Sequence, residues 1–168
     1  MHITLLPWKL DFLEDLVKYA NNPIISKNLT DSFPNPYTRE AGVQFIETVS
    51  KYSPQLVFAI SMNNEIIGSI GIHPQNDIYR NNAELGYWLA APFWGKGIMT
   101  IAIQQMVDYS FKNLSINRIF AKPFGHNIGS QKALVKSGFI LKASFEKTVI
   151  KNGELVDELV FAIRKPTT

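Results

Sequence analysis

Apolar positions along the chain switch between helical spacing, near 3.6 residues, and the alternation of strands. A short strand is predicted around Ile3 to Leu6. From Asp11 to Ala20, the residues Phe12, Leu13, Leu16, Val17 and Ala20 share one helical face, and Asn21-Asn22-Pro23 supplies a stop. The proline-, hydroxyl- and amide-rich stretch Ser26 to Thr38 is expected to be a loop. Helical spacing returns from Arg39 to Val49 through Val43, Phe45, Ile46 and Val49.

Gln55 to Ser61 and Ile66 to Ile72 are β-branched and aromatic, and the Met62-Asn63-Asn64-Glu65 connection predicts a hairpin. A third strand, Ala83 to Ala90, follows Asn81-Asn82 and runs into Pro92-Phe93-Trp94-Gly95-Lys96-Gly97. Apolar residues at 99, 102, 103, 106, 107, 111 and 114 then describe an amphipathic helix. Asn117 to Phe124 reads as a strand, Ile128 to Ser137 as a short helix closed by Gly138, and Phe139 to Ile150 as another strand. The Lys151-Asn152-Gly153-Glu154 turn leads to a last strand, Leu155 to Ile163. This order gives an α/β (α+β) plan on one sheet, expected as a single domain over residues 1–168.

Composition narrows the chemistry. With 46% apolar and 18% charged residues in 168, the chain can close a core and is not a disordered polymer. Seventeen Lys and Arg against fourteen Asp and Glu leave +3, too mild and too dispersed to argue for a nucleic-acid partner. Cysteine is absent, which excludes disulfides, thiolate metal sites and a Cys nucleophile. The three histidines, His2, His73 and His126, show no local metal-ligand spacing, so no metal is expected. The uncharged apolar stretch Tyr87 to Trp94 is less than half of the roughly 20 residues a membrane helix needs, and the amino terminus lacks a basic lead-in. No membrane partner and a cytoplasmic location are the expectation, while the oligomeric state is not legible.

The strand, the Gly95-Lys96-Gly97 turn and the helix after it form an arrangement in which backbone N–H groups and a helix dipole can hold phosphate oxygens. Thr100 stands where a dinucleotide fingerprint needs a third glycine, and Gly97 where a Walker loop needs Ser or Thr. Neither motif applies, and glycines at a strand-to-helix turn are by themselves more often structural than ligand-binding.

Glu84-Leu85-Gly86-Tyr87-Trp88-Leu89, Trp94-Gly95-Lys96-Gly97, Asn127 with Ser130, and Lys136-Ser137-Gly138-Phe139 occur in one recognisable order. Together they resemble the GNAT superfamily of acetyl-coenzyme A-dependent N-acetyltransferases. Within it, they are most similar to the ribosomal-protein N-terminal acetyltransferases of the RimJ and RimL type. The resemblance implies a mixed, mostly antiparallel sheet that splays open at the cosubstrate and is flanked by helices. It also implies acetyl-coenzyme A as cosubstrate and an amine as acceptor.

On that resemblance, Trp94, Gly95, Lys96, Gly97, Ile98 and Met99 supply contacts to the pyrophosphate. Trp88 and Leu89 pair with the pantetheine arm by strand addition, and Asn127 touches pantetheine. Ser130 is the candidate general acid beside the leaving sulfur, although Asn127 and Ser130 are also ordinary helix caps. Glu84 is either a base acting through water or a solvated, salt-bridged strand residue, and Lys132 either meets a phosphate or faces solvent. Catalysis rests on direct attack by the amine on the thioester. The alternative is a coenzyme A-binding module of the same fold without turnover.

Three departures from the family pattern stand out. Pro92 occupies a position that usually carries Gln or Arg and offers no N–H. Ile101 replaces a common Glu, and Leu6 an Arg. The acceptor preference of the ribosomal-protein enzymes is therefore not carried over.

Overall fold

The computed structural model describes residues 1–167; Thr168, the last residue of the expected domain, lies outside them. Its contacts group into two compact units, each assembled from two separated stretches of chain.

The first unit comprises Met1–Gly71 and Tyr87–Ile98. It begins with β1 (Thr4–Pro7), and a 3-10 turn at Leu10–Phe12 leads into α1 (Leu13–Ala20). The helix expected from Asp11 therefore starts two residues later, on that tighter turn. The anticipated stop at Asn22-Pro23 instead initiates a one-turn helix, α2 (Pro23–Ser26). The Asn22 side chain accepts from the Ile24 N–H at 3.0 Å, and Pro23 sits where its missing N–H costs nothing. Helix α3 (Arg39–Val49) starts under a Thr38 cap, whose hydroxyl accepts from Ala41 N–H at 3.1 Å.

β2 (Val57–Met62) and the first part of β3 (Glu65–Pro74) form the expected hairpin. Asn63 and Asn64, at φ 52° and 65°, make a turn whose twist suits paired strands. Trp8, Leu13, Leu16, Tyr37, Ile46, Val49, Val57 and Ile66 are buried together, with Phe33 and Trp88 packed against them. Two polar contacts tie α1 to β3. Asp15 Oδ2 accepts from Ile66 N–H at 2.8 Å, and Glu65 accepts from Tyr19 Oη at 2.5 Å and from Lys18 Nζ at 2.9 Å.

The second unit comprises residues 72–86 and the chain from Met99 onward. It takes in the start of β4 (Asn82–Leu89), nearly all of α4 (Ile98–Asn113), β5 (Arg118–Ala121) and α5 (Ile128–Lys136). The long hairpin of β6 (Ile140–Lys151) and β7 (Glu154–Arg164) completes it. Ala102, Ile103, Met106, Val107 and Phe111 on α4 are buried at the predicted spacing. Strand β5 stops at Ala121, short of the expected Phe124. Lys122 and Pro123 lead out of it, and Phe124 makes only an isolated antiparallel bridge to Glu158.

The seven strands have the order β1-β2-β3-β4-β5-β7-β6. The pairs β1–β2, β2–β3, β5–β7 and β6–β7 are antiparallel, while β4 and β5 are parallel. This is the mixed, mostly antiparallel sheet expected. Parallel neighbours need a crossover between them, and here α4 supplies it.

Candidate active site

The paired register of β4 with β5 runs only from Asn82↔Arg118 to Glu84↔Phe120, whereas β4 itself continues to Leu89. The strand end is pressed from β3. A Cβ built on Gly68 would stand 2.4 Å from the Trp88 carbonyl oxygen and 3.2 Å from Leu89 Cα, so only glycine lets the two backbones approach this closely.

After Leu89 a 3-10 turn, Ala91–Phe93, reverses the chain. Trp94 folds back, its Nε1–H donating to the Leu89 carbonyl at 2.7 Å while the residue stays 44% exposed. One lone pair of that carbonyl is thus already used. Phe93 meets Tyr19 edge-on at 5.9 Å, and Lys96 Nζ lies 5.6 Å from the Phe93 ring centre.

Gly95 and Gly97 have φ of +74° and +77°, a backbone shape that side chains strain. A Cβ at either would meet nothing within 4 Å. The glycines are needed for conformation, and the space beside the backbone is open. Ile98 begins α4 immediately afterwards, so the turn ends on first-turn N–H groups that have no partner within the helix. Such a turn suits an anion.

In the second unit, Asn127 caps α5, its Oδ1 accepting from Ser130 N–H at 3.2 Å. Asn127 and Ser130 are therefore brought together as read from the sequence, and both are half-buried. Lys132, on the same helix, is exposed.

The loop before Asn127 is fastened by residues that local patterning did not single out. Gly125 N–H donates to the Asp157 carbonyl at 2.8 Å, and Leu159 N–H to the Pro123 carbonyl at 3.0 Å. Gln131 Nε2 donates to the Gly125 carbonyl at 2.9 Å and more weakly to that of Phe124 at 3.4 Å. Gln131 lies next to Ser130 in sequence; Asp157 comes from β7, and no local signal links it to the loop.

Glu84 stands 3.7 Å from Lys122 Nζ, with both side chains about one-third exposed. Its carboxylate thus faces a lysine ammonium. His73, on β3, has its Nε2 3.7 Å from where a Gly86 Cβ would be. Desolvation of the ring lowers its pKa, and the Glu84 charge works in the opposite direction. Ile101, where the family pattern often has Glu, is half-buried on α4.

Among the described residues no group of three His, Cys, Asp or Glu could hold a metal ion, and no helix is long and apolar enough to cross a membrane.

The acetyltransferase (GNAT) domain family matches residues 2–140. The chain belongs to the GNAT acetyltransferase family. This acetyltransferase is 30% identical to the uncharacterized N-acetyltransferase p20 of Bacillus licheniformis, over 97% of this chain and 93% of that protein. It is 28% identical to the ribosomal-protein-serine acetyltransferase of Escherichia coli, over 63% of this chain and 59% of that protein's length. Among solved structures, the microcin C7 self-immunity acetyltransferase MccE, in complex with acetyl-CoA and AMP, superposes with a TM-score of 0.79. That match is at 28% identity and covers 97% of this GNAT chain and 92% of the chain in that structure. The GNAT resemblance and the fold drawn from the motifs both hold, and so does the likeness to the ribosomal-protein branch.

Proposed function

We propose that this acetyltransferase moves the acetyl group of acetyl-coenzyme A to a primary amine, either the α-amine of a protein N-terminus or the amine of a small molecule. We also propose that residues 1–168 act as one such domain. The observation that carries the cosubstrate assignment is the turn itself. Gly95 and Gly97 hold left-handed backbone with open space at each Cα, and α4 begins at the next residue. Backbone N–H groups of Trp94 to Met99 would hold the diphosphate, with Lys96 adding positive charge beside it. Pro92 contributes none, as expected of its ring.

Trp88 and Leu89 would receive the amide-bearing arm, where β4 has run past its paired register with β5. Since Trp94 already occupies the Leu89 carbonyl, Leu89 offers less to that arm than the motif alone suggested. Asn127 would add a side-chain amide to the same arm.

The amine nitrogen attacks the thioester carbonyl carbon, the carbon–sulfur bond breaks, and the Ser130 hydroxyl donates to the departing sulfur as it gains charge. The proton released by the amine passes through water, with Glu84 the candidate carboxylate on its path, and the net transfer leaves one proton on the coenzyme A sulfur. An α-amine, near 8, needs far less help to lose its proton than a lysine side chain, near 10.4.

Calorimetry with acetyl-coenzyme A, followed by thiol release against peptides with free N-termini, lysine-only peptides blocked at the terminus, and small amines, tests both parts. Binding with thiol release confined to α-amines and small amines is expected. Absence of binding would overturn the cosubstrate assignment. Binding with release only on lysine side chains would overturn the acceptor assignment. Binding with no release across the panel would overturn transfer to amines of these classes.

A further inference from the structure

We infer that Gln131 is a positioning residue that sets the height of Asn127 and Ser130 at the start of α5; this rests on the assignment of Asn127 to the coenzyme A arm. The inference comes from how the preceding loop is held. Between the end of β5 and α5 the chain has no continuous strand partner, only the Phe124–Glu158 bridge with its flanking bonds at Pro123 and Gly125. Two supports fix it from opposite sides. On the β7 side, Gly125 lies so close to Asp157 that a Cβ would come within 2.8 Å of Asp157 Cβ. Asp157 is itself held, since its Oδ1 accepts from Lys147 N–H at 2.8 Å.

On the helix side, one amide group, Gln131 Nε2, reaches back to the carbonyls of Gly125 and Phe124. These carbonyls belong to the two residues that direct the chain into His126 and Asn127. The Phe124 carbonyl also accepts from Asn127 N–H at 2.9 Å, so the residue that caps the helix hangs from the same oxygen that Gln131 holds. Asn127 in turn fixes Ser130 through its Oδ1. The chain of contacts runs from Gln131 to Phe124 to Asn127 to Ser130, within ten residues of one unit.

Without the Gln131 amide, the Gly125 and Phe124 carbonyls lose their side-chain donor, while the β7 attachment remains. A side chain acting through Asn127 must lose its influence once the Asn127 amide is removed, whereas one that merely stabilises the fold must not. This makes a double-mutant cycle the decisive experiment.

The affinity of coenzyme A itself is measured by calorimetry for the parent, Gln131→Met, Asn127→Ala and the double variant, with thermal melts alongside. Methionine keeps length and helix propensity but has no donor. Each single variant is expected to weaken binding by about tenfold, the effect of one hydrogen-bonding contact in the range of 1–1.5 kcal/mol. The double variant is expected to be no weaker than Asn127→Ala alone. Gln131→Lys, which restores a donor, should recover most of the loss at about 0.3 M salt, where its added charge is screened.

Unchanged affinity in Gln131→Met, or a double variant weakened about a hundredfold, would overturn the inference while leaving Asn127 on the cosubstrate. Unchanged affinity in Asn127→Ala would overturn that assignment and the inference with it. If the methionine variant fails to fold, a folded lysine variant with lost affinity would equally overturn the positioning role.

Discussion

Gly68→Ala tests whether the end of β4 is held by backbone contact alone. The methyl carbon would lie 2.4 Å from the Trp88 carbonyl oxygen. A tolerable carbon–oxygen contact is about 3.3–3.6 Å, so one backbone must retreat by roughly 1 Å. Retreat in the other direction is closed, because Ile60 Cδ1 stands 3.4 Å away and Leu89 Cα 3.2 Å. Forcing a methyl group into such a space costs about 1–3 kcal/mol. For a chain of this size that lowers the melting temperature by roughly 2–12 °C.

The displaced group is the Trp88 carbonyl, so acetyl-coenzyme A affinity should fall together with stability. Gly86→Ala on the same strand is the internal control. Its new Cβ would find only His73 Nε2, at an ordinary 3.7 Å, and should shift stability by no more than about 0.5 kcal/mol. Circular-dichroism melts and calorimetry on both variants decide the matter. A Gly68→Ala protein that melts with the parent and binds as tightly, or a Gly86→Ala protein damaged as severely, would refute the steric account.

Gly97→Val should weaken coenzyme A binding because valine cannot relax at φ +77°, not because it meets a neighbour; equal affinity in a folded variant would count against the turn. Ser130→Ala should reduce turnover about tenfold while leaving coenzyme A affinity within about twofold, and parental turnover would leave the hydroxyl only a structural role. Burial pushes the Tyr37 phenol up to about 12, whereas the unfolded chain releases that proton near 10. Its contribution is complete below pH 10 and is lost as pH rises toward 12, by about 1.4 kcal/mol per unit. Tyr37→Phe should flatten the alkaline limb of denaturant-measured stability, and identical slopes would refute it. Hydrogen bonds from Tyr19 and then Lys18 hold the Glu65 carboxyl below its usual range, so its contribution is present above about pH 4.5 and lost as pH falls further. Glu65→Gln should lessen that acid loss in the same titration.

Features set by local chemistry were legible before any coordinates. Asn63-Asn64 and Asn152-Gly153 adopt the left-handed turns their residue types favour, and the Asn127 cap and the α4 stripe fall where spacing put them. Gly138 closes α5 as expected. What escaped depends on partners distant in sequence. The ion pair of Glu84 with Lys122 joins residues that no local pattern links. The clamp on the loop before α5 joins Gly125 to Asp157 and reaches Lys147, positions that share no periodicity. The early end of β5 has a local hint in Pro123, but nothing local shows that Phe124 returns for a single bridge. Asn22-Pro23 contained the right residues for a helix start, yet the same pair also serves as a stop, and only the geometry around Ile24 separates them.

The edge strand β6 leaves Ile140, Leu141, Phe145 and Ile150 at least 47% exposed, an apolar border of the kind that invites another polypeptide to stack. Its pairing with β7 slips twice, between Leu141 and Ala143 and between Phe145 and Val149, and Lys147 turns to φ +50° within the second slip. A rim interrupted in this way cannot offer a straight, evenly spaced row of amides to an incoming chain, so the protein can carry greasy residues at its border without templating fibrils.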